Sequence, residues 1–169
     1  MILENYSINE NTLALLPAKQ IDFDTIVIEK DRKIKVRKTS LELIKAACYN
    51  EWSTYEGRRQ AVIHHTNFKR KVPIPINIRN GNYFFPTHSP TSIYNKWFSY
   101  LHIDEINKHP NNATKTIITF YNGIELCVNI PYHLLDKQMQ RTFECMYRMK
   151  RFWMNNNRNE YDGGKDLTS

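Results

Sequence analysis

Residues 115–131, with the sequence KTIITFYNGIELCVNIP, decide the fold class of this chain. Two runs rich in β-branched residues flank the dipeptide Asn122-Gly123, and Asn-Gly tolerates the positive φ angles of a type I′ turn. The stretch therefore predicts a β-hairpin. Pro131 closes the second strand and suits the first turn of a helix, because its φ angle is fixed near the helical value. A hairpin that runs directly into a helix indicates an α+β domain.

The helix predicted after Pro131 covers residues 132 to about 154. Its apolar residues recur at steps of four and three, and a charged stripe runs roughly opposite. The apolar stripe consists of Leu135, Met139, Thr142, Met146, Met149 and Trp153, and the charged stripe of Lys137, Arg141, Glu144, Arg148 and Arg151. An apolar stripe of this kind either covers the sheet of its own domain or binds a second copy of the chain, and the sequence is compatible with both.

Upstream of this hairpin, the pattern predicts more antiparallel strand pairs. Asn80-Gly81 joins IPINIR to NYFFP in a second Asn-Gly hairpin. Residues 24–39 (DTIVIEKDRKIKVRKT) predict a third hairpin, in which the charged residues 30–32 turn the chain. Residues 96–103 (KWFSYLHI) predict one further strand. Its two faces would carry Trp97, Ser99 and Leu101 on one side and Phe98, Tyr100 and His102 on the other.

Two helices are predicted between these hairpins. Thr39 and Glu42 have the T-x-x-E spacing of a capping box at the start of SLELIKAACYNEW. A second helix is predicted over EGRRQAVIHHT, residues 56–66. The fold class is therefore α+β, with antiparallel β-hairpins and two or three helices, including a long C-terminal helix. With 169 residues and no internal repeat, we expect one domain over residues 1–154 and a flexible polar tail over residues 155–169.

The charge of the chain indicates an anionic partner. The chain carries 24 Lys and Arg against 17 Asp and Glu, a formal net charge of +7 and an isoelectric point of about 9.3. A basic chain attracts nucleic acid, anionic membrane or acidic proteins. The clearest cluster is YEGRRQAVIHHTNFKRKVPIP, residues 55–75, where Glu56 is the only acid. Local ion pairs therefore do not absorb these cations, and arginine suits phosphate contact or insertion into a groove.

Patterns typical of enzymes and metal sites are lacking in the sequence. It has no nucleophile elbow, no P-loop and no dinucleotide-binding turn. His64-His65 has no carboxylate or cysteine at ligand spacing, which favours a structural or phosphate-facing role over metal binding. We therefore expect no catalytic residue, no metal and no cofactor. The three cysteines, Cys48, Cys127 and Cys145, are expected to be reduced, buried thiols.

Segments that direct a chain to or across a membrane are not seen. Residues 1–12 (MILENYSINENT) lack a basic start and a long apolar run, and no stretch approaches the ~18 apolar residues that a membrane span requires. We therefore expect a soluble, cytoplasmic protein with no membrane partner.

Several blocks of the chain resemble the ComK family of competence transcription factors from low-GC Gram-positive bacteria. The blocks are TYEGRRQAV, KVPIPINIRNGNYFFPTHSPTS and NKWFSYLHI. Upstream of them, IVIEKD is similar to a further segment of the family. The positions that carry the resemblance are Tyr55, Gly57, Arg58, Arg59, Pro73, Pro75, Phe85, Pro86, Thr87 and Trp97. The blocks occur in a consistent order over residues 13–151, and the Asn-Gly hairpin before the last helix also fits.

The resemblance implies a DNA-binding activator that switches on genes for DNA uptake and recombination. Proteins of this family bind paired AT-rich promoter boxes, chiefly through the minor groove, as dimers or dimers of dimers at the nucleoid. Narrow A-tract minor grooves have an enhanced negative potential that attracts Arg and Lys. The DNA-binding residues predicted from the charge clusters and the resemblance are Arg58, Arg59, Lys69, Arg70, Lys71 and Lys96. The role of activator also implies RNA polymerase as a partner.

The chain departs from the family pattern at its carboxy terminus. Better-known relatives carry a short Phe-Met-Leu-type element that ends in proline and is used by a protease adaptor. Residues 155–169 (NNNRNEYDGGKDLTS) contain no such element. The departure implies either that a protease adaptor does not act on this chain or that the adaptor uses another of its surfaces.

The alternative function is a general single-stranded nucleic-acid-binding protein with an aromatic β-face. The candidates are Tyr83, Phe84, Phe85, Trp97, Phe98 and Tyr100. Exposed aromatic residues on a sheet stack bases with little sequence preference, whereas aromatic-rich strands more often fill a core. The relative affinity for AT-rich duplex, GC-rich duplex and single strand separates the two functions.

Overall fold

The strands and helices follow one another as hairpins interrupted and finished by helices. The computed structural model describes residues 1–163. Its strands are β1 (Ile2–Leu3), β2 (Thr12–Pro17), β3 (Thr25–Glu29), β4 (Lys33–Val36), β5 (Ile74–Asn77), β6 (Asn82–Pro86), β7 (Trp97–Ser99), β8 (Ile103–Lys108), β9 (Thr116–Phe120) and β10 (Glu125–Val128). Its helices are α1 (Ser40–Asn50), α2 (Tyr55–Thr66), α3 (Tyr132–Gly163) and a short 3-10 helix (Tyr100–His102).

The strands form two sheets. The larger sheet has the order β1-β4-β3-β2-β7-β6-β5, and the smaller has the order β10-β9-β8. Neighbouring strands are antiparallel except for the short parallel pair β1–β4. The predicted α+β class, with hairpins and a long C-terminal helix, is confirmed.

Each face of the larger sheet contributes to a different hydrophobic core. Val27 and Trp97 belong to the core that the sheet forms with α1 and α2, whereas their neighbours Ile28 and Phe98 belong to the core that it forms with the smaller sheet. Successive residues of a strand point to opposite faces, so the larger sheet lies between a helical layer and the smaller sheet. Helix α3 contributes Leu135 to the second core and Cys145 to the first, and therefore joins the two layers.

The predicted caps and hairpins form, with one difference in the turns. The Thr39 side chain accepts a hydrogen bond from the Glu42 backbone N–H and caps α1. Both Asn-Gly hairpins are present, but the type I′ turn is wrong: only Gly81 and Gly123 take positive φ, at 70° and 88°. The preceding asparagines instead use their side chains as acceptors, for example Asn122 Oδ1 from the Ile124 N–H at 3.1 Å.

The single strand predicted over residues 96–103 is wrong, because it is broken in the middle. β7 ends at Ser99, the 3-10 helix follows, and β8 belongs to the smaller sheet. Ser99 is fully buried and hydrogen-bonds to both Asn82 and His102, which fixes the turn between the two sheets. The predicted alternation of faces holds for Trp97 and Phe98 and ends with the strand.

Helix α3 is longer than predicted. It continues past Met154 to Gly163, so residues 155–163 of the expected tail are helical, while residues 164–169 lie outside the described part of the chain. Each asparagine in a helix costs at most roughly 0.7 kcal/mol relative to alanine. The Asn-rich stretch therefore does not end the helix. The helix is buried at Leu135, Gln138, Thr142 and Cys145, whereas the side chains of residues 151–158 are all exposed.

The cysteines are free thiols in two different environments. Cys48 and Cys145 are buried as expected, but Cys127 is exposed, so the prediction of a buried thiol is wrong there. Cys127 lies on β10, at the edge of the smaller sheet, where Glu125 and Cys127 are both exposed. Among the helices of the described residues, none has the length and apolar character needed to cross a membrane.

Candidate nucleic-acid interface

The loop that follows α2, residues 67–71, presents a cluster of cations. Helix α2 ends where Asn67 takes a left-handed conformation (φ 62°) and donates its N–H to the Ile63 carbonyl at 2.8 Å. Lys69 and Arg70 are exposed, and Lys71 is half-buried with a positive φ of 49°. The two left-handed residues turn the chain sharply at both ends of the loop, which leaves the cations between them at the surface.

Helix α3 holds this loop in place through its backbone. Gln138 Nε2 donates to the Lys71 carbonyl at 2.9 Å, and Arg141 Nη2 donates to the Arg70 carbonyl at 2.6 Å. The Arg141 guanidinium also lies 4.4 Å from the centre of the Phe68 ring, as in a cation–π contact. Burial lowers the pKa of Arg141 from its ordinary value, although the guanidinium stays charged at neutral pH. The loop therefore has a defined shape set by α3.

A second loop, residues 87–96, connects β6 to β7 and has a fixed base. The buried Asn95 accepts backbone hydrogen bonds from Thr87 and His88, each at 3.0 Å, and the Thr87 hydroxyl accepts one from the Lys96 N–H. The tip of the loop exposes Ile93 and Tyr94, at 68% and 54% of their surface. A braced loop with an apolar tip is thus presented to solvent.

The cations of the two loops form one positive area. The pKa of His88 is lowered by burial and by the charges of Lys96 and Lys71, so both ammonium groups act on the same imidazole. The pKa of Lys96 is lowered by burial and by the charge of Lys19. Lys19 lies over the ring of Tyr94, with its Nζ 4.6 Å from the ring centre. Unrelieved repulsion of this kind favours an anionic ligand that neutralises it.

An open groove of about 520 Å³ lies between the 67–71 loop and the start of α3. We call it the basic groove. Its described lining contains no acidic residue and five cations: Lys69, Arg70, Lys71, Lys137 and Arg141. Phe68 and Leu134 supply apolar surface, and Gln138 supplies the carboxamide that fixes the loop. The arrangement suits a polyanion that passes along a surface, because charges of one sign along a groove reinforce one another.

Four of the six predicted residues lie at this surface. Lys69, Arg70 and Lys71 line the basic groove, and Lys96 lies at the base of the second loop. The buried Gln138 joins the two positions, since the same Nε2 also donates to the Pro86 carbonyl, at 2.7 Å.

The twin arginines Arg58 and Arg59 lie elsewhere. The Arg58 side chain is buried, and its Nη1 donates to the carbonyls of Pro75 and Ile76 at 2.6 and 3.0 Å. Arg59 is 30% exposed, with its Nη1 3.8 Å from a Glu56 carboxylate oxygen. Arg59 is separated from the end of α2 by seven residues, or roughly 10 Å of helix. In this conformation Arg58 contacts the backbone around β5, and its guanidinium is not presented to solvent.

Sequence reasoning missed several residues of this surface. Lys137 and Arg141 belong to the charged stripe of the last helix, and charged stripes normally face water. Their place in the groove depends on contacts across about 70 positions of sequence, such as the 71 that separate Arg141 from Arg70. Lys19 and Tyr94 carried no local pattern at all. The usable signal in the sequence is the Gln-x-x-Arg spacing of Gln138 and Arg141 on the last helix. This spacing points to the interface only when the tertiary fold shows that both residues face the basic loop.

The aromatic strands do not form an exposed stacking face. Tyr83, Phe84, Phe85, Trp97 and Phe98 are each at most 2% exposed and fill the two cores. Only Tyr100 is partly exposed. Within residues 1–158, whose side chains are described, no three His, Cys, Asp or Glu side chains come together in a way that would hold a metal ion.

The comparisons with known proteins agree with one another. The protein family described as ComK protein matches residues 3–152, and the competence transcription factor of Bacillus subtilis (strain 168) is 32% identical over 142 residues, which cover 83% of this chain and 72% of that protein. No solved structure gives a significant match. A family match over nearly the whole chain, together with this degree of identity, shows that the chain belongs to the ComK family.

Proposed function

We propose that this protein is a regulator of competence transcription that binds duplex promoter DNA through the basic groove and the 87–96 loop. The observation that carries the proposal is the groove itself, because the described residues that line it include five cations and no acid. The relative from Bacillus subtilis is a competence transcription factor, and neither that name nor the family description denotes an enzyme. A DNA-binding role therefore accounts for both the family and the charge.

The shape of the 87–96 loop favours the minor groove of AT-rich DNA. Minor-groove proteins often insert an apolar wedge between base steps and flank it with cations. Here Ile93 and Tyr94 form an exposed apolar tip, and Lys96 and Lys19 lie beside it. A-tracts narrow the minor groove and strengthen its negative potential, which favours such cations. In the proposed complex the loop enters the minor groove and the basic groove contacts the phosphates next to it.

The affinity for three nucleic acids of equal length tests this function. We expect the order AT-rich duplex, then GC-rich duplex, then single strand, because the wedge and its cations read groove width. Tighter binding of the single strand would support the alternative function instead. Equal affinity for the two duplexes would mean that the protein contacts only phosphates and does not distinguish AT-rich from GC-rich sequence. A double variant with Ile93 and Tyr94 changed to serine should lose the preference for AT-rich duplex while keeping most of the non-specific affinity.

A second copy of the chain is part of the proposal, because paired boxes need two protomers with matching symmetry. The exposed side of α3 is our candidate contact. It carries Phe143, Tyr147 and Met154, which share one face at helical spacing and are between 48% and 58% exposed. The helix has 32 residues and is roughly 48 Å long, longer than the domain on which its first half packs. In an isologous contact, this side of α3 in one protomer would pack against the same side of α3 in the other, and both apolar surfaces would be removed from water. In this proposal RNA polymerase is recruited by the dimer on DNA.

A further inference from the structure

Arg58 is a buried cation with one unoccupied edge. Its side chain is 4% exposed, and its Nη1 carries both hydrogen bonds that the guanidinium makes, to the carbonyls of Pro75 and Ile76. The Nε and Nη2 atoms are buried and have no hydrogen-bond partner among the described residues. No carboxylate of the described side chains lies within 4.0 Å of Arg58 either. A buried guanidinium with two donors unpaired is unfavourable unless an anion pairs with it.

The unoccupied edge has the geometry of a carboxylate receptor. Nε–H and Nη2–H of a guanidinium are parallel donors in one plane, and they match the two oxygens of a carboxylate in a bidentate pair. The opposite side of the guanidinium is already committed to the backbone of β5. Among the described residues the other two donors have no partner, so they are the donors left for a ligand carboxylate.

A cavity of about 270 Å³ provides the route to Arg58. It lies between α2, α3 and the β5–β6 hairpin, and Arg58 is one of the residues that line it. Most of the remaining lining is apolar, including Ala61, Val62, Pro75, Tyr83, Met149 and Trp153. This volume is close to the lower end of small-molecule sites, about 300 Å³. Arg58 is the only Lys or Arg among the described residues of the lining, so the cavity suits one negative charge on an apolar body and does not suit a polyphosphate.

We propose that this cavity binds a small amphiphilic monocarboxylate, such as a medium-chain fatty acid or an aromatic acid. The carboxylate pairs with Nε and Nη2 of Arg58, and the hydrocarbon part packs between Val62, Tyr83 and Met149. The cavity is separate from the basic groove, because the two share no lining residue. The inference therefore does not depend on the proposed function, and a failure of DNA binding leaves it intact.

Tryptophan fluorescence measures the binding directly, since Trp153 lines the cavity. Octanoate and benzoate are titrated at constant ionic strength against their neutral counterparts octanol and benzamide, and calorimetry checks the affinity. We expect saturable binding of at least one carboxylate, with its neutral counterpart at least tenfold weaker. Equal binding of the acid and its neutral counterpart would overturn the role of Arg58, and no saturable binding by either acid would overturn the proposal.

Two variants locate the site. Arg58→Met should remove the preference for the acid, but it also removes the hydrogen bonds to β5 and is informative only if it folds. Ala61→Leu is the safer variant, because Ala61 is exposed at the rim of the cavity and the larger side chain narrows the entrance. Its matched control is Gln60→Leu, an exposed neighbour that does not line the cavity. We expect at least tenfold weaker binding in Ala61→Leu and none of this loss in Gln60→Leu. Unchanged binding in Ala61→Leu would contradict the assignment to this cavity.

Discussion

The side-chain nitrogen of Gln138 lies 2.9 Å from the carbonyl oxygen of Lys71, and the same nitrogen lies 2.7 Å from the carbonyl oxygen of Pro86. One buried carboxamide on α3 thus fixes both the end of the 67–71 loop and the start of the 87–96 loop. These two loops carry Lys69, Arg70, Lys71 and Lys96, four of the cations that we assign to DNA. The relative position of the two parts of the proposed interface therefore depends on a residue that has no charge and is almost fully buried.

Gln138→Leu tests this positioning role. The change removes the side-chain donor of the Pro86 carbonyl and leaves the Lys71 carbonyl with only the 3.4 Å bond from Arg141 Nη1. An unsatisfied buried polar group costs about 1–3 kcal/mol. We expect a lower free energy of unfolding by denaturant and also weaker binding of AT-rich duplex at a temperature where the variant is folded. The control is Gln140→Leu, an exposed residue two positions away that bonds only to the side chain of Asp136. If Gln138→Leu loses stability but binds DNA like the unaltered protein, Gln138 supports only the fold.

Arg58→Ala and Arg59→Ala should behave differently. Arg58→Ala removes charge-assisted hydrogen bonds to two backbone carbonyls, each worth roughly 1.5–3 kcal/mol, and should lower the melting temperature markedly. Arg59 makes one long, exposed ion pair with Glu56, worth at most about 1 kcal/mol, so Arg59→Ala should leave stability nearly unchanged. Calorimetry and DNA titration of both variants decide between the roles. A stable Arg58→Ala protein with weakened DNA binding would show that Arg58 reaches DNA by leaving its buried position.

Binding of DNA should take up a proton at His88. Burial, Lys96 and Lys71 lower the pKa of His88 in the free protein below its ordinary value of about 6.5. The folded state then binds fewer protons than the unfolded state near this pH, so stability falls as the pH drops through about 6.5. Phosphates that neutralise the two lysines should raise the pKa of His88 again, and DNA affinity should increase as the pH falls from 7.5 to 6.

His88→Gln isolates that contribution. The variant should lose part of the pH dependence of DNA affinity, measured at constant salt, whereas His109→Gln on the β8–β9 loop should retain all of it. The free variant should also lose less stability than the unaltered protein between pH 7 and pH 6. An identical pH dependence in all three proteins would place His88 outside the DNA interface.

The exposed side of α3 gives a prediction on assembly. Tyr147→Lys introduces a charge on a residue that is 52% exposed, so the free protomer should keep its stability. If two copies meet through this side of α3, the charge would be desolvated in the contact, and cooperative binding to paired boxes should be lost. Sedimentation of the protein and titration of one-box and two-box DNA measure the two effects. Asn156→Lys, exposed on the opposite side of α3, is the matched control.

Met149→Lys distinguishes the two roles of the apolar stripe of α3. Met149 is half-buried, packs against the first core and accepts a hydrogen bond from the Tyr83 hydroxyl at 3.5 Å. We expect this variant to melt at a lower temperature even in dilute protein, because the charge would enter the core of a single protomer. A stable variant that still binds paired boxes cooperatively would show that this position tolerates solvent.

The elements with strong local signals were predictable from the sequence. The Thr39 cap, the two Asn-Gly hairpins and the 24–39 hairpin depend on residues close together in the chain, and all are present in the structure. The break after Ser99 was not predictable, because it depends on the buried bonds of Ser99 to Asn82 and His102. Strand β2, at the centre of the larger sheet, was also missed, since after Thr12 the run LALLP is apolar throughout and shows no alternation.

For the candidate interface, the clusters of cations could be identified from the sequence, but their positions in the fold could not. The clusters Lys69–Lys71 and Arg58–Arg59 looked equivalent in composition, yet only the first lines the basic groove. Burial of Arg58 follows from its contacts with carbonyls 17 and 18 positions away, which no local pattern records. In the same way, Arg141 belongs to the groove because α3 crosses the 67–71 loop.

The salt dependence of DNA affinity tests the central claim most directly. The logarithm of the association constant for an AT-rich duplex is plotted against the logarithm of salt concentration, for the unaltered protein and for the double variant Lys69→Ala, Lys71→Ala. Each phosphate neutralised contributes about −0.9 to the slope. We predict a steep negative slope for the unaltered protein and a slope shallower by about 1.8 for the double variant, which follows from two lost phosphate contacts. A slope near zero for the unaltered protein, or the same slope in both proteins, would contradict the proposal that the basic groove binds DNA.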